Sequence, residues 1–248
     1  MKVRMYNVGF GDCFCLRDRK KSLLVDFGTN NSRIEGRPRR EIFDVIISDL
    51  STIKSKNLLL THFHMDHLSG LLYMMKKNDI SVDFGKIYLP DVFSKKEMSR
   101  TLVLLLLADL LKESGLPSRQ VSLFALVDAL LENKQNVELL SRGKLFENKY
   151  QALWPDTDVI RKETDEVYNR ICEDGKFKEV MDVLLEFAEK LRLIVWSMTA
   201  EGNKPAETVE KETDLTASEL TEQPEVRQKI IRAYVYEREF RRIKALPD

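Results

Sequence analysis

A chain of 248 residues, 43% hydrophobic and 32% charged, has the balance of a folded globular protein, which excludes a disordered or membrane-embedded class. Forty basic residues offset forty acidic ones, so no net charge draws a polyanion or an anionic surface from a distance. Composition therefore gives no positive support for nucleic-acid or membrane partners.

The N-terminus, MKVRMYNVGFGDCF, lacks the continuous apolar run of a secretory signal, and a cytoplasmic location is expected. Lys2 to Val8, Cys13 to Arg17 and Ser22 to Asp26 read as short strands of a meander, with Gly9-Phe10-Gly11-Asp12 and a basic turn between them. Cys13 and Cys15 fall on one side of the second strand. With Cys172 remote and the count odd, strand packing of free thiols is favoured over a two-cysteine metal site. Gly28 to Arg37 is a polar loop. Ile42, Phe43, Ile46, Ile47 and Leu50 then recur at helical spacing behind Pro38, expected in the first turn. Asn57 to Thr61, with Leu58-Leu59-Leu60, has the apolar continuity of a strand covered on both faces.

Helical character follows from His67 to Lys77, and Lys86 to Leu89 reads as a strand. Ser94-Lys95-Lys96-Glu97 predicts a capping box before a long helix. The apolar stretch Leu102 to Leu111 is about half the roughly 20 residues of a membrane span, and is read as a buried helix. A further helix fits Arg119 to Asn133, and strands fit Val137 to Leu140 and Lys149 to Trp154. From Asp156 the pattern turns helical, with a stripe of Phe177, Val180, Met181, Leu184, Ala188, Leu191 and Val195. A polar connector over 201–223 leads to a charged helix over 224–244.

Chemistry concentrates in Thr61-His62-Phe63-His64-Met65-Asp66-His67, which holds all three histidines of the chain. His62 and His64 alternate at a strand's end, so both imidazoles can point one way, and the turn that follows can bring Asp66 and His67 to the same cavity. Imidazole with carboxylate suits zinc, or manganese or iron when oxygen donors dominate. The plain alternative is a histidine-rich turn bonding only backbone groups; it leaves the joint spacing of four donors unexplained. Phe63 and Met65 are expected to face away and serve packing. Asp12 and Cys13 are read as turn and strand residues that shape the neighbouring loop.

His-x-His-x-Asp-His after an apolar strand resembles the signature of the metallo-β-lactamase superfamily. Val8-Gly9-Phe10-Gly11-Asp12 and Leu24-Val25-Asp26-Phe27-Gly28 look like the opening hairpin of its competence-protein-like hydrolase branch. The resemblance implies an α/β fold, the four-layer αβ/βα sandwich, with one or two metal ions, commonly zinc, activating a water for hydrolysis. It places His62 and His64 on a first metal, and Asp66 and His67 on a second. Asp66 would also be catalytic, holding or accepting the water's proton. Asp26 would be a buried carboxylate orienting the histidine loop; read alone, it is equally a strand-end aspartate bonding its own turn.

The likeness covers residues 1–155, and 156–248 reads as a helical insertion or extension. Members of the superfamily supply further metal-binding histidines, yet no histidine follows His67 here. His62 and His64 alone leave a first metal short of the three protein donors a catalytic zinc takes. Asp156 and Asp158 are conceivable replacements that nothing in their spacing singles out. Three expectations follow. The chain is the N-terminal half of a metal-dependent hydrolase, its other ligands supplied by a missing C-terminal half or a partner chain; or it is a complete hydrolase using carboxylates; or it is a non-catalytic interaction module presenting the 224–244 helix. The substrate stays open, an ester or phosphodiester.

Overall fold

The computed structural model describes residues 1–18, 21–77, 83–112, 122–173 and 175–200. β1 (Lys2–Met5), β2 (Phe14–Asp18) and β3 (Lys21–Val25) form the expected antiparallel meander, pairing Val3 with Leu16 and Leu16 with Leu23. The first strand stops three residues before the expected Val8. Gly9 takes a left-handed φ of 70°, and the turn closes with the Tyr6 N–H donating to Cys13 O at 3.0 Å.

The loop expected from Gly28 to Arg37 contains a small hairpin, β4 (Arg33–Ile34) with β5 (Arg37–Pro38). Pro38 therefore sits just before α1 (Arg39–Ser51) instead of in its first turn. α1 buries the five residues of its apolar stripe, Ile42, Phe43, Ile46, Ile47 and Leu50. β6 (Ser55–Leu59) then pairs parallel with β3. It starts and ends two residues earlier than expected, so Thr61 lies beyond the strand, where a side chain is free to turn toward its neighbours.

α2 (Met65–Lys76) returns to β7 (Ile87–Pro90), parallel to β6. A 3-10 turn (Lys96–Met98) precedes α3 (Ser99–Lys112), and α4 (Ser122–Glu132) leads to β8 (Val137–Leu140), parallel to β7. The capping box does not form: Ser94 gives both its N–H and its hydroxyl to Asp91, at 3.1 and 2.8 Å, so no side chain caps the turn at Lys95. A strand over Lys149 to Trp154 is also absent. Only β10 (Tyr150–Gln151) forms, paired with β9 (Leu145–Phe146), because Ala152 and Pro155 spend their carbonyls on Gly143 and Arg142 in the adjoining loop. α5 (Thr157–Glu173) and α6 (Gly175–Ser197) follow. The connector over 201–223 and the charged helix over 224–244 lie outside the described residues.

The six-stranded sheet runs β1-β2-β3-β6-β7-β8, antiparallel at its β1 end and parallel from β3 onward. All the long helices share one core with one sheet face, where Cys15, Leu24, Leu58, Ile87 and Leu139 meet Phe43, Leu71, Leu106, Leu126, Ala188 and Val195. The α5 and α6 helices thus belong to the same core as the front of the chain. Among the described residues no helix is long and apolar enough to cross a membrane. The opposite sheet face carries Leu23, Tyr88 and Leu140 beneath the β9–β10 hairpin. Glu147 in that hairpin accepts from Asn57 Nδ2 and from Tyr88 Oη, the latter at 2.7 Å.

Asp49 ties α1 to the meander. Its Oδ2 accepts from Arg4 at 2.8 Å, from Arg17 at 2.9 Å and from the Tyr6 hydroxyl. Partial burial works to raise the carboxyl's pKa, but the Tyr6 bond and the two guanidinium groups outweigh it and hold the group below its ordinary value. A depressed carboxylate contributes stability that is present above its unfolded pKa and lost as pH falls through the folded one. Asp49→Asn should therefore cost about 1–3 kcal/mol at pH 7. The gap to wild type should begin to narrow below about pH 4, near the unfolded value, and go on narrowing as pH falls through the lower folded one, in urea melts run across that range.

Candidate metal centre

The parallel strands β3 and β6 end side by side, and the antiparallel β2 begins at the same edge. The segments Gly9–Cys13, Asp26–Thr29 and Thr61–His67 therefore meet there, at the carboxyl ends of the central strands, where ligands bind in open α/β sheets. Three loops approach so closely that side chains are excluded. A Cβ on Gly28 would lie 2.6 Å from both Asp66 C and Leu68 N, and one on Gly11 would lie 2.3 Å from Gly28 O. Backbone bonds lock the contact: Phe27 N–H to His67 O at 2.7 Å, Gly70 N–H to Phe27 O at 2.8 Å, and Asp12 N–H to Asp66 O at 3.3 Å. Ser69 adds a two-way bond with the Thr29 backbone, accepting and donating at 2.9 Å.

Asp26 has a left-handed φ of 55°, a region aspartate tolerates better than most residues. Its backbone N–H still bonds Leu59 O at 2.8 Å. The turn leaves the carboxylate buried, with three donors: Thr61 N–H at 2.8 Å on Oδ1, and on Oδ2 the Thr61 hydroxyl at 2.7 Å and His67 Nδ1 at 3.0 Å. Of the two sequence readings of Asp26, the bonds match the carboxylate that reaches across to the histidine loop.

With Nδ1–H committed to Asp26, His67 presents Nε2, which lies 3.7 Å from Asp66 Oδ2. Two donors of one zinc at about 2.0–2.2 Å and near-tetrahedral angle stand about 3.4 Å apart, so this pair fits a single ion. His62 joins them: donor atoms of His62, Asp66 and His67 all lie within 4.8 Å of one another. The His62 and His67 rings are 3.6 Å apart, centre to centre. Desolvation, with the neighbouring His67 and His64 rings, pushes the His62 pKa below its ordinary value, favouring the neutral form that can donate to a metal.

His64 is placed differently. It is exposed at the N-cap of α2, its ring 4.8 Å from that of His62, and it is not part of this three-donor group. Phe63 faces the core against Phe93, and Met65 is partly buried at the core's margin. Asp12 comes nearer than its turn reading implies, with Oδ2 3.7 Å from His67 Nδ1, and Asp12, Asp26 and His67 form a second compact donor group. The spacing of the sequence held no signal for that approach, which depends on the meander folding back. Cys13 is fully buried, and burial pushes its thiol pKa up, so it packs as a small apolar residue. Asp156 instead pairs with Arg142 at 3.0 Å and receives the Val159 N–H at 3.3 Å, at the start of α5. Asp158 lies 3.7 Å from Lys95.

A βαβ sheet with a histidine–aspartate cluster at the carboxyl ends of its strands, braced by a buried aspartate, defines an α/β protein with a candidate metal site. Residues 6–90 match the family described as the Metallo-beta-lactamase superfamily. The chain is also similar to the endoribonuclease YSH1 of Mycosarcoma maydis, 32% identical over 77 residues, which are 31% of this chain and 8% of that protein. The chain thus spans only a small part of the curated relative it matches. No solved structure matches it. The superfamily includes metal-dependent hydrolases and typically binds metal ions.

Gly28→Ala should lower stability by about 1–3 kcal/mol, because the new methyl meets backbone on the facing loop. Chemical denaturation read by circular dichroism checks this, and an unchanged midpoint would show that the loops are not in contact.

Proposed function

We propose that the chain carries the principal metal site of a zinc-dependent hydrolase acting on phosphodiesters. The convergence of His62, Asp66 and His67 over the buried Asp26 supports this most directly. Two imidazole nitrogens and one carboxylate oxygen are a donor set that suits zinc and leaves a position for water, the pattern of catalytic sites. A zinc ion held there supplies Lewis acidity and makes water acidic enough to act near neutral pH. Asp66, partly exposed at the rim, is positioned to hold the proton of the attacking water. His64, beside His62 and open to solvent, is available to a second ion. A phosphorus centre is favoured over a carboxylic ester because the similar protein is an endoribonuclease.

The remaining donors for a second ion are proposed to come from a second αβ unit, either further along the polypeptide or on a partner chain. Support comes from the sheet face away from the helices. Beyond the hairpin it presents an apolar row in which Phe14, Leu16, Val25 and Leu59 are partly exposed, and Val3 and Met5 are 61% and 73% exposed. A row of that kind marks a surface meant to be covered.

Calorimetric titration of metal-free protein with zinc is the test, alongside hydrolysis of bis(p-nitrophenyl) phosphate and p-nitrophenyl acetate. One zinc should bind, and His67→Ala should weaken binding by more than about tenfold. Zinc binding that ignores His67→Ala, or its absence in wild type, would overturn the reading. Faster turnover of the acetate than of the phosphodiester would reverse the choice of substrate class.

A further inference from the structure

We propose that Thr61 is a positioning residue which passes the orientation set by Asp26 on to His62, so that both imidazoles turn Nε2 to the same cavity. The inference rests on the metal reading above, but its geometry is independent of any ion. Asp26 grips Thr61 at two points, accepting its N–H at 2.8 Å on Oδ1 and its hydroxyl at 2.7 Å on Oδ2. A carboxylate has no proton to give, so the hydroxyl's single hydrogen points at Asp26. The lone pairs of Thr61 Oγ1 then face the other way, toward His62 Nδ1 at 3.0 Å. An oxygen whose hydrogen is already spent can only accept from that nitrogen. His62 must carry its proton on Nδ1, leaving Nε2 as the donor atom.

His67 reaches the same state by direct contact, its Nδ1 bonding the same Asp26 Oδ2 at 3.0 Å. One buried oxygen therefore sets the tautomers of two rings, one directly and one through a hydroxyl. Ligand imidazoles are ordinarily held by an acceptor on the far ring nitrogen, and their loss costs roughly 10–100-fold in metal affinity. A threonine hydroxyl can do this only because the carboxylate polarises it and fixes its rotor. Serine preserves the relay; valine keeps the shape and removes it.

The test uses the full chain, metal-free and 15N-labelled, with long-range proton–nitrogen correlation spectra of its three histidines. Wild type and Thr61→Ser should show His62 as the single Nδ1–H tautomer. Thr61→Val should shift His62 to a mixture while His67 stays Nδ1–H, and zinc affinity should fall by about 10–100-fold and be retained in Thr61→Ser. Thermal melts identify any variant that fails to fold, and Thr61→Ala then replaces Thr61→Val. An unchanged His62 tautomer in the folded variant would overturn the relay. So would unaltered zinc affinity. If wild type binds no zinc, the metal reading fails, while the spectra of the metal-free protein still decide the role of Thr61.

Discussion

A single buried carboxylate organises the site. Placing an ionised group away from water is costly unless hydrogen bonds replace its hydration, and Asp26 receives three of them from a segment more than thirty residues further along the chain. Because those donors belong to Thr61 and His67, satisfying the aspartate requires the β6–α2 turn to close over it. The same bonds decide which face of each imidazole is left for a ligand. Fold and site are thus coupled through one group: removing it would orphan three polar partners as well as loosen two rings.

Close backbone approach makes that closure possible. Gly11 and Gly28 stand where the three loops touch, and the distances their missing side chains would span are far below van der Waals contact. Gly70, one turn into α2, likewise admits the Phe27 ring, whose carbonyl receives two N–H groups of the helix. These contacts explain why a meander of weakly buried strands remains attached to the parallel core. Its turn is joined to the histidine loop by the Asp12 N–H bond to Asp66 O.

The distribution of apolar surface is lopsided. Among the described residues one sheet face is covered by helices, with α5 and α6, from the part of the chain that reads as an extension, packed against α3 in the same core. The other face is protected chiefly by a short hairpin pinned through Glu147.

Much of the architecture was legible in the residues themselves. The stripe of α1 and the clustered histidines are local patterns that appear where expected, while the leucine run lies at the end of a strand that forms two residues early. Features that depended on competition between partners were not legible. The capping box at Ser94 lost to Asp91, three residues earlier, and the strand after Lys149 lost its carbonyls to the loop at Arg142. In the same way, Asp66 and His67 were readable as donors, but the departure of His64 toward solvent and the arrival of Asp12 were not.

The segment Thr61 to His67 determined by its own spacing that imidazoles and a carboxylate would gather in one turn, because local geometry brings residues a few positions apart within reach of one another. Which nitrogen each ring offers, and which three donors converge, was decided only by tertiary structure. Those choices are set by Asp26, Gly28 and Asp12, which reach the turn through strand pairing and loop contact across 35 to 55 residues of chain. No pattern within the turn encodes them.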